Sequence, residues 1–267
     1  MPTYLLVNDD GVQSPFLLPL AARLSELGKV SIAVPLHEKS WTGKSMTRHG
    51  KLRVHPLQGA AWPGFEPYAA VAVEGTPSDC ANLGVHHLFG GAPDWVVSGI
   101  NIGMNAGLNF IVNSGTVGAA LEAALVGVPA VAFSMHMPAV LYEQWTAERK
   151  LTGAAAGRAI AMAAQRAAGI MRALQPRGLP EGAMVLNVNF PRELTAETPV
   201  RWVPVQNNRY GSLFSRDEEG YFHAYKGDAW RDDSVLADKA VVEGGEIAVS
   251  ALTLAALSLP PPEPPPF

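Results

Sequence analysis

Six short apolar runs constrain this chain most: Tyr4 to Val7, Val30 to Val34, Ala70 to Val73, Trp95 to Val97, Ala130 to Ser134 and Met184 to Val188. Most break off at or within a few residues of a glycine, a proline or a polar pair, and most are apolar at successive positions rather than alternate ones. A strand with that pattern is buried on both faces, which happens inside a parallel sheet covered by helices. Between the runs lie segments with helical spacing. Leu17, Leu18, Leu20, Ala21 and Leu24 repeat at three and four residues, and Gly28 follows where a helix would stop. Thr76-Pro77-Ser78-Asp79 has a capping residue, a proline at the first helical position and an acid in the first turn. Ser114 to Val126, closed by Gly127, and Ala-rich Gly153 to Leu174 complete the set, the latter with an exposed basic side at Arg158, Arg166 and Arg172. Strand–helix–strand alternation predicts an α/β fold, a mostly parallel sheet with helices on both faces and right-handed crossovers.

After about Val200 the pattern changes. The stretch 201–245 is rich in polar and aromatic residues, and Asp217-Glu218-Glu219-Gly220 reads as a hairpin turn between two extended runs. A C-terminal β-hairpin arm is expected there. Ile247 to Leu254 is strand-like and is expected to rejoin the main body. The chain therefore divides into a single α/β domain, 1–257, that includes the arm, and a proline-rich tail, 258–267, suited only to extended polyproline or disorder.

Bulk properties remove several function classes. A formal net charge of -4 gives no general attraction to a nucleic acid polymer or an anionic membrane. The lone Cys80 permits no intrachain disulfide and no thiolate metal site. The N-terminus lacks the features of a signal peptide, and no apolar stretch approaches the roughly 20 residues a membrane span needs. The expectation is a soluble, cytoplasmic protein. No G-x-S-x-G, H-E-x-x-H or P-loop motif is present.

Asp9 and Asp10 stand at the end of the first predicted strand, where open α/β sheets bind ligands. Adjacent carboxylates repel unless a cation or proton joins them, and oxygen ligands favour Mg²⁺, Mn²⁺ or Ca²⁺ over zinc. Asn8-Asp9-Asp10-Gly11 is equally good turn chemistry, so both readings stand. Gly99 to Gly107 follows another strand as a Gly-rich loop, with Asn101 and Asn105 as neutral oxygen donors or hydrogen-bond donors. Ser114, Gly115 and Thr116 open a predicted helix, whose free N–H groups suit a phosphate or simply receive a cap. In the long loop after the second strand, Ser40, Thr42, Lys44, Ser45 and Thr47 are within possible reach of a phosphate, or belong to a solvated surface loop. His86 and His87 read as surface, His136 as a residue able to face the site, and Cys80 as buried in a helix.

Taken in order, LLVNDDG (Leu5 to Gly11), the Ser40 loop, EGTPSDC (Glu74 to Cys80), SGINIGMNAG (Ser98 to Gly107), NSGTVGAALEA (Asn113 to Ala123) and LNVNFP (Leu186 to Pro191) closely resemble the SurE survival-protein family. The segment from Asp238 to Leu254 is similar to that family's closing segment. The resemblance implies a Rossmann-like core with an oligomerisation arm and a homodimer or homotetramer. It implies a 5'-nucleotidase that hydrolyses nucleoside 5'- and 3'-monophosphates, with short polyphosphate as a further substrate of some members. One divalent ion per subunit, Mg²⁺ or Mn²⁺, is implied at Asp9, Asp10, Ser40 and Asn101. Asp9 and Asp10 are then the catalytic acids, one serving as base to an attacking water. Asn101, Ser114, Gly115, Thr116 and Lys44 are the expected phosphate contacts. Leu36, Lys44, Asn109 and Asn113 depart from the family's usual residues. The rival reading is a non-catalytic nucleotide-binding or sensing protein.

Overall fold

The computed structural model describes residues 1–255, and the proline-rich tail assigned to 258–267 lies outside them. The strands are β1 (Thr3–Val7), β2 (Lys29–Pro35), β3 (Val54–Pro56), β4 (Ala69–Val73), β5 (Trp95–Ile102), β6 (Ala130–Met135), β7 (Val185–Phe190), β8 (Val200–Trp202), β9 (Asn208–Tyr210), β10 (Phe214–Arg216), β11 (Tyr221–His223), β12 (Asp228–Arg231) and β13 (Ile247–Leu252). The helices are α1 (Leu17–Ser25), α2 (Pro77–Leu83), α3 (Leu108–Asn113), α4 (Gly115–Leu125), α5 (Ala139–Glu148), α6 (Gly153–Leu174) and α7 (Asp238–Glu243). The main sheet runs β3-β4-β2-β1-β5-β6-β7-β13-β8, parallel from β4 through β7. β3 and β13 are antiparallel to their neighbours on either side of that parallel body. Strand order therefore reverses between β1 and β5, and the crevice at the carboxyl ends of those two strands is where such a sheet takes a ligand.

Period-two side-chain alternation sorts the strand residues onto two faces. Tyr4, Leu6, Ile32, Val97, Phe133 and Val188 turn toward α1 and α6. Leu5, Val7, Ala33, Val96, Ala130 and Ala132 turn toward α2 and α4. The second face is built from smaller side chains, so its helices sit close. A Cβ on Gly84 would stand 2.5 Å from Leu5 Cδ2. Thr76 caps α2 as expected, with a reciprocal box in which its hydroxyl accepts from Asp79 N–H and Asp79 accepts from its own. Cys80 is fully buried there.

Several expectations are corrected. The strand begun at Trp95 continues through Ile102, so the Ser98–Ile102 motif is strand rather than loop. It keeps pairing with β6 across an irregularity between Ser98 and Asn101. Gly99 makes that possible at φ +119°, because a Cβ would stand 2.2 Å from the Phe133 carbonyl oxygen. Arg166 is not part of an exposed basic side; its guanidinium is spent on the carbonyls of Ala196 and Thr198. Helices α3 and α5 were not anticipated.

The C-terminal region follows expectation in outline. β10 and β11 form the antiparallel hairpin around Asp217–Gly220, and β9 pairs with β12 below it. β8 is instead an edge strand of the main sheet beside β13, and α7 packs on β13, so the arm proper spans 208–231. Among the described residues, no helix is long and apolar enough to cross a membrane.

Candidate active site

The loop after β1 is a tight turn that its own sequence dictates. Asn8 donates from Nδ2 to the Gly11 carbonyl and accepts the Gly11 N–H at Oδ1. Gly11 has φ +83°, and a Cβ there would press on the backbone of His37 at 3.0 Å. The turn is held against the next loop by Lys39 N–H donating to the Asp9 carbonyl at 2.7 Å and Val12 N–H donating to the Pro35 carbonyl at 3.1 Å. The turn reading and the site reading of this tetrapeptide are thus compatible: Asn8 and Gly11 make the turn, and Asp9 and Asp10 are presented by it.

Both carboxylates are nearly buried, Asp9 at 3% and Asp10 at 5% exposure. Thr116 donates its hydroxyl to Asp9 Oδ1. Asp10 Oδ2 accepts the Ile102 N–H at 3.1 Å. Burial raises the Asp9 pKa to about 6, against the opposing pull of the Thr116 hydrogen bonds. Burial first and the neighbouring Asp9 second push Asp10 well above the carboxylate range. The charge of Glu38 raises both. Two buried acids in this state need a cation or a proton between them, and among the described residues no lysine or arginine salt-bridges either one.

Asn101, at the end of β5, donates from Nδ2 to the Gly103 carbonyl at 2.9 Å, which turns the amide so that Oδ1 remains as an acceptor. Ser40 donates to Glu38 Oε1 at 2.7 Å. Asp9, Ser40, Asn101 and Ser114 line one cavity of about 680 Å³. Asp10 does not line the cavity itself but sits behind Asp9, its Oδ2 on the Ile102 N–H; with it the oxygen donor set suits a hard divalent ion. Among the described residues, no cluster of three or more His, Cys, Asp or Glu is arranged for a metal. A set completed by hydroxyl and amide oxygens is of a different kind.

The helix start lies directly over this pair. Ser114 caps α4, its hydroxyl accepting the Val117 N–H at 3.1 Å. A Cβ on Gly115 would stand 2.9 Å from Asp9 Cβ and 3.1 Å from the Lys39 carbonyl oxygen, so glycine lets α4 begin this close to Asp9. Ser98 donates to the Thr116 carbonyl at 2.7 Å, which ties the β5 motif to the α4 motif. Thr116 is fully buried, and its hydroxyl is spent on Asp9.

Lys44 is not among the residues that line the cavity; its ammonium pairs with Glu122 Oε2 at 2.6 Å on α4. The path of the loop explains this: Gly43 N–H donates to the Asn113 carbonyl and the loop then crosses α4 at Gly118, where a Cβ would stand 2.5 Å from the Gly43 carbonyl oxygen. Thr42 and Thr47 are likewise occupied, with Lys39 and Asp79. Asn105 is structural: its N–H donates to Asn189 Oδ1, and Asn187 donates to its carbonyl, which accounts for the LNVNFP motif.

Sequence reasoning missed Glu38, Arg149, Arg192 and Trp41, all of which line the cavity. Glu38 pairs with Arg149 at 2.6 Å. Arg192 Nε donates to His136 Nε2 at 3.0 Å, and His136 faces the cavity as anticipated, its pKa lowered by burial and by Arg192. Arg149 has φ +53° at the end of α5, a helix whose sequence gave no signal.

A family model described as "Survival protein SurE" matches residues 4–212. Among relatives of this chain, "5'-nucleotidase SurE" of Methanocella arvoryzae is 37% identical over 88% of this chain and 82% of its own length. "5'-nucleotidase SurE" of Pyrobaculum arsenaticum is 37% identical over 94% of this chain and 89% of its own. The crystal structure of the SurE protein from Aquifex aeolicus is similar with a TM-score of 0.73 at 29% identity, covering 95% of this chain and 94% of that one.

Proposed function

Because the chain belongs to the SurE survival-protein family, we propose that it is a metal-dependent phosphoric monoester hydrolase that converts nucleoside monophosphates to nucleoside and phosphate. The observation that carries this reading is the pair of buried acids Asp9 and Asp10, both raised by burial and Asp10 further by Asp9, at the β1/β5 switch point beneath the start of α4. Asp9, Asp10, Ser40 and Asn101 would hold one divalent ion, Mg²⁺ or Mn²⁺. When bound, such an ion neutralises phosphate charge and polarises the phosphorus–oxygen bonds. The helix start at Ser114 and Gly115 orients the phosphate through backbone N–H groups and the positive helix end. Asn101 adds an amide contact at its edge. One of the two acids would take a proton from the water that attacks phosphorus while the phosphorus–oxygen ester bond breaks, the leaving nucleoside oxygen taking a proton from solvent; the Thr116 hydroxyl favours the ionised form of Asp9 and fixes it. Burial of both acids keeps bulk water out and strengthens each interaction with the transferring group.

The same reading treats 1–257 as one domain and the arm as an assembly element, giving a homodimer or homotetramer. Exposed aromatic residues on the arm, such as Phe214, Tyr221 and Trp230, support that role. The test of function is phosphate release from a panel of nucleoside 5'- and 3'-monophosphates, before and after EDTA stripping and with Mg²⁺ or Mn²⁺ restored. Metal-dependent release establishes the reading. Nucleotide binding with no release under any metal contradicts it and favours a sensing protein.

A further inference from the structure

The cavity that Asp9 lines is aromatic at its other end. Trp41, Phe110, His223 and Tyr225 line it together with Asp9, Ser40 and Asn101. They come from three separate places: Trp41 from the Ser40 loop, Phe110 from α3, and His223 and Tyr225 from the arm. Their rings form a continuous wall. Trp41 meets His223 at 4.6 Å and Phe110 at 5.8 Å between centroids, and Phe110 meets Tyr225 at 5.1 Å. The wall is braced from behind. Tyr225 donates its hydroxyl to Asp228 at 2.9 Å, and the Lys239 ammonium lies 5.2 Å from the Phe110 ring centre.

Trp41 is the telling residue. It is 39% exposed, and its backbone has φ +61°, a left-handed conformation that a bulky side chain adopts at a cost. An indole kept half-exposed in a strained position beside Ser40 is not explained by core packing. It is explained by a flat ligand in the cavity.

We propose that this wall is the subsite for the nucleobase of the substrate, and that the arm, through His223 and Tyr225, sets which phosphomonoesters the enzyme accepts. The inference rests on the hydrolase reading above and deepens it. Aromatic faces take purine and pyrimidine rings by stacking, with little demand on base identity. The volume of about 680 Å³ lies within the range of cavities that take ligands of this size. A chain of phosphates is the wrong occupant, because it needs unpaired cations. Of the two arginines that line the cavity, Arg149 is committed to Glu38, which leaves Arg192, bonded to His136, as a single cation where a phosphate chain needs several. A rigid, prebuilt wall also lowers the ordering cost of binding.

The experiment compares kcat/KM for a nucleoside 5'-monophosphate and for ribose 5-phosphate, which carries the same ester without the base. Wild type, Trp41→Gly and His223→Ala are compared; Trp41→Gly suits the left-handed backbone and so preserves the fold. The nucleotide is preferred by wild type, and in each variant that preference falls about tenfold through a raised KM for the nucleotide. Quenching of tryptophan fluorescence by a free nucleoside, seen in wild type and lost in Trp41→Gly, reads the same subsite without any hydrolysis. Equal kcat/KM for both substrates in wild type, or a preference unchanged in both variants, overturns the inference. Nucleoside quenching that depends on Trp41 in a protein that releases no phosphate keeps the subsite and overturns the hydrolase reading instead.

Discussion

The hydroxyl of Thr116 donates to the carboxylate of Asp9, joining the first turn of α4 to the end of β1. That bond favours the ionised acid against the burial that opposes it. In Thr116→Val the Asp9 pKa rises further and the acid holds its proton at higher pH. The expected result is a loss of Mn²⁺ affinity near pH 6 of about tenfold, the size of a hydrogen bond to a charged group, with Thr116→Ser close to wild type. Calorimetric Mn²⁺ titration across pH measures it.

The raised acids also make the metal-free chain sensitive to pH. Asp9 goes from 3.8 when unfolded to about 6 when folded, so the folded state binds the proton more tightly. Its contribution to stability is therefore complete below 3.8 and is lost as pH rises through about 6. Asp10 extends the loss to higher pH in the same direction. The melting temperature of EDTA-stripped protein should fall as pH is raised across this range. Asp10→Asn should flatten the decline and melt higher than wild type at neutral pH, and Mn²⁺ should restore the wild type alone. A metal-free melting temperature that rises over the same range would contradict the assignment of raised pKa values.

Gly115 tests the seating of α4 on Asp9. An alanine methyl would sit 2.9 Å from Asp9 Cβ and 3.1 Å from the Lys39 carbonyl, and the second neighbour is backbone that cannot swing away. Gly115→Ala should displace Asp9 and lower phosphate release by about 100-fold, because misplaced catalytic groups lose most of their effect. Circular dichroism should show the helical content of the wild type. Unchanged turnover would mean that the acid and the helix start are not coupled.

Lys239 and Asp228 form an ion pair whose side chains are 7% and 11% exposed, and Asp228 also accepts from Asn208 and Tyr225. Lys239→Met leaves that carboxylate buried without its cation, a change of about 3 kcal/mol. The loss should appear as faster proteolysis within 208–231, with the main sheet intact. Adding Asp228→Asn should recover part of the protection, since it removes the stranded charge.

The core was legible because buried parallel strands announce themselves as short apolar runs, and Thr76, Ser114 and Gly127 mark helix ends by their own chemistry. Asp9, Asp10 and Asn101 were legible for a related reason: strand ends in such a sheet point at the ligand. Helices α3 and α5 were not, because apolar residues on them face outward as well as in, as Val112 at 64% and Val140 at 75% exposure show, so no helical period emerges. The cavity wall shares this difficulty. Trp41, Phe110 and His223 are far apart in sequence and become neighbours only when the arm folds back over the loop. The course of the Ser40 loop was not legible either: the sequence shows that Lys44 lies in it, but not that the loop crosses Gly118 and brings the ammonium to Glu122.

The most direct measurement is phosphate release from a nucleoside 5'-monophosphate by EDTA-stripped wild type and Asp9→Asn, each with Mn²⁺ restored. Wild type should recover turnover, and Asp9→Asn should remain lower by on the order of 100-fold or more while keeping its fold. Full Mn²⁺-dependent turnover by Asp9→Asn would place the chemistry elsewhere and contradict the account.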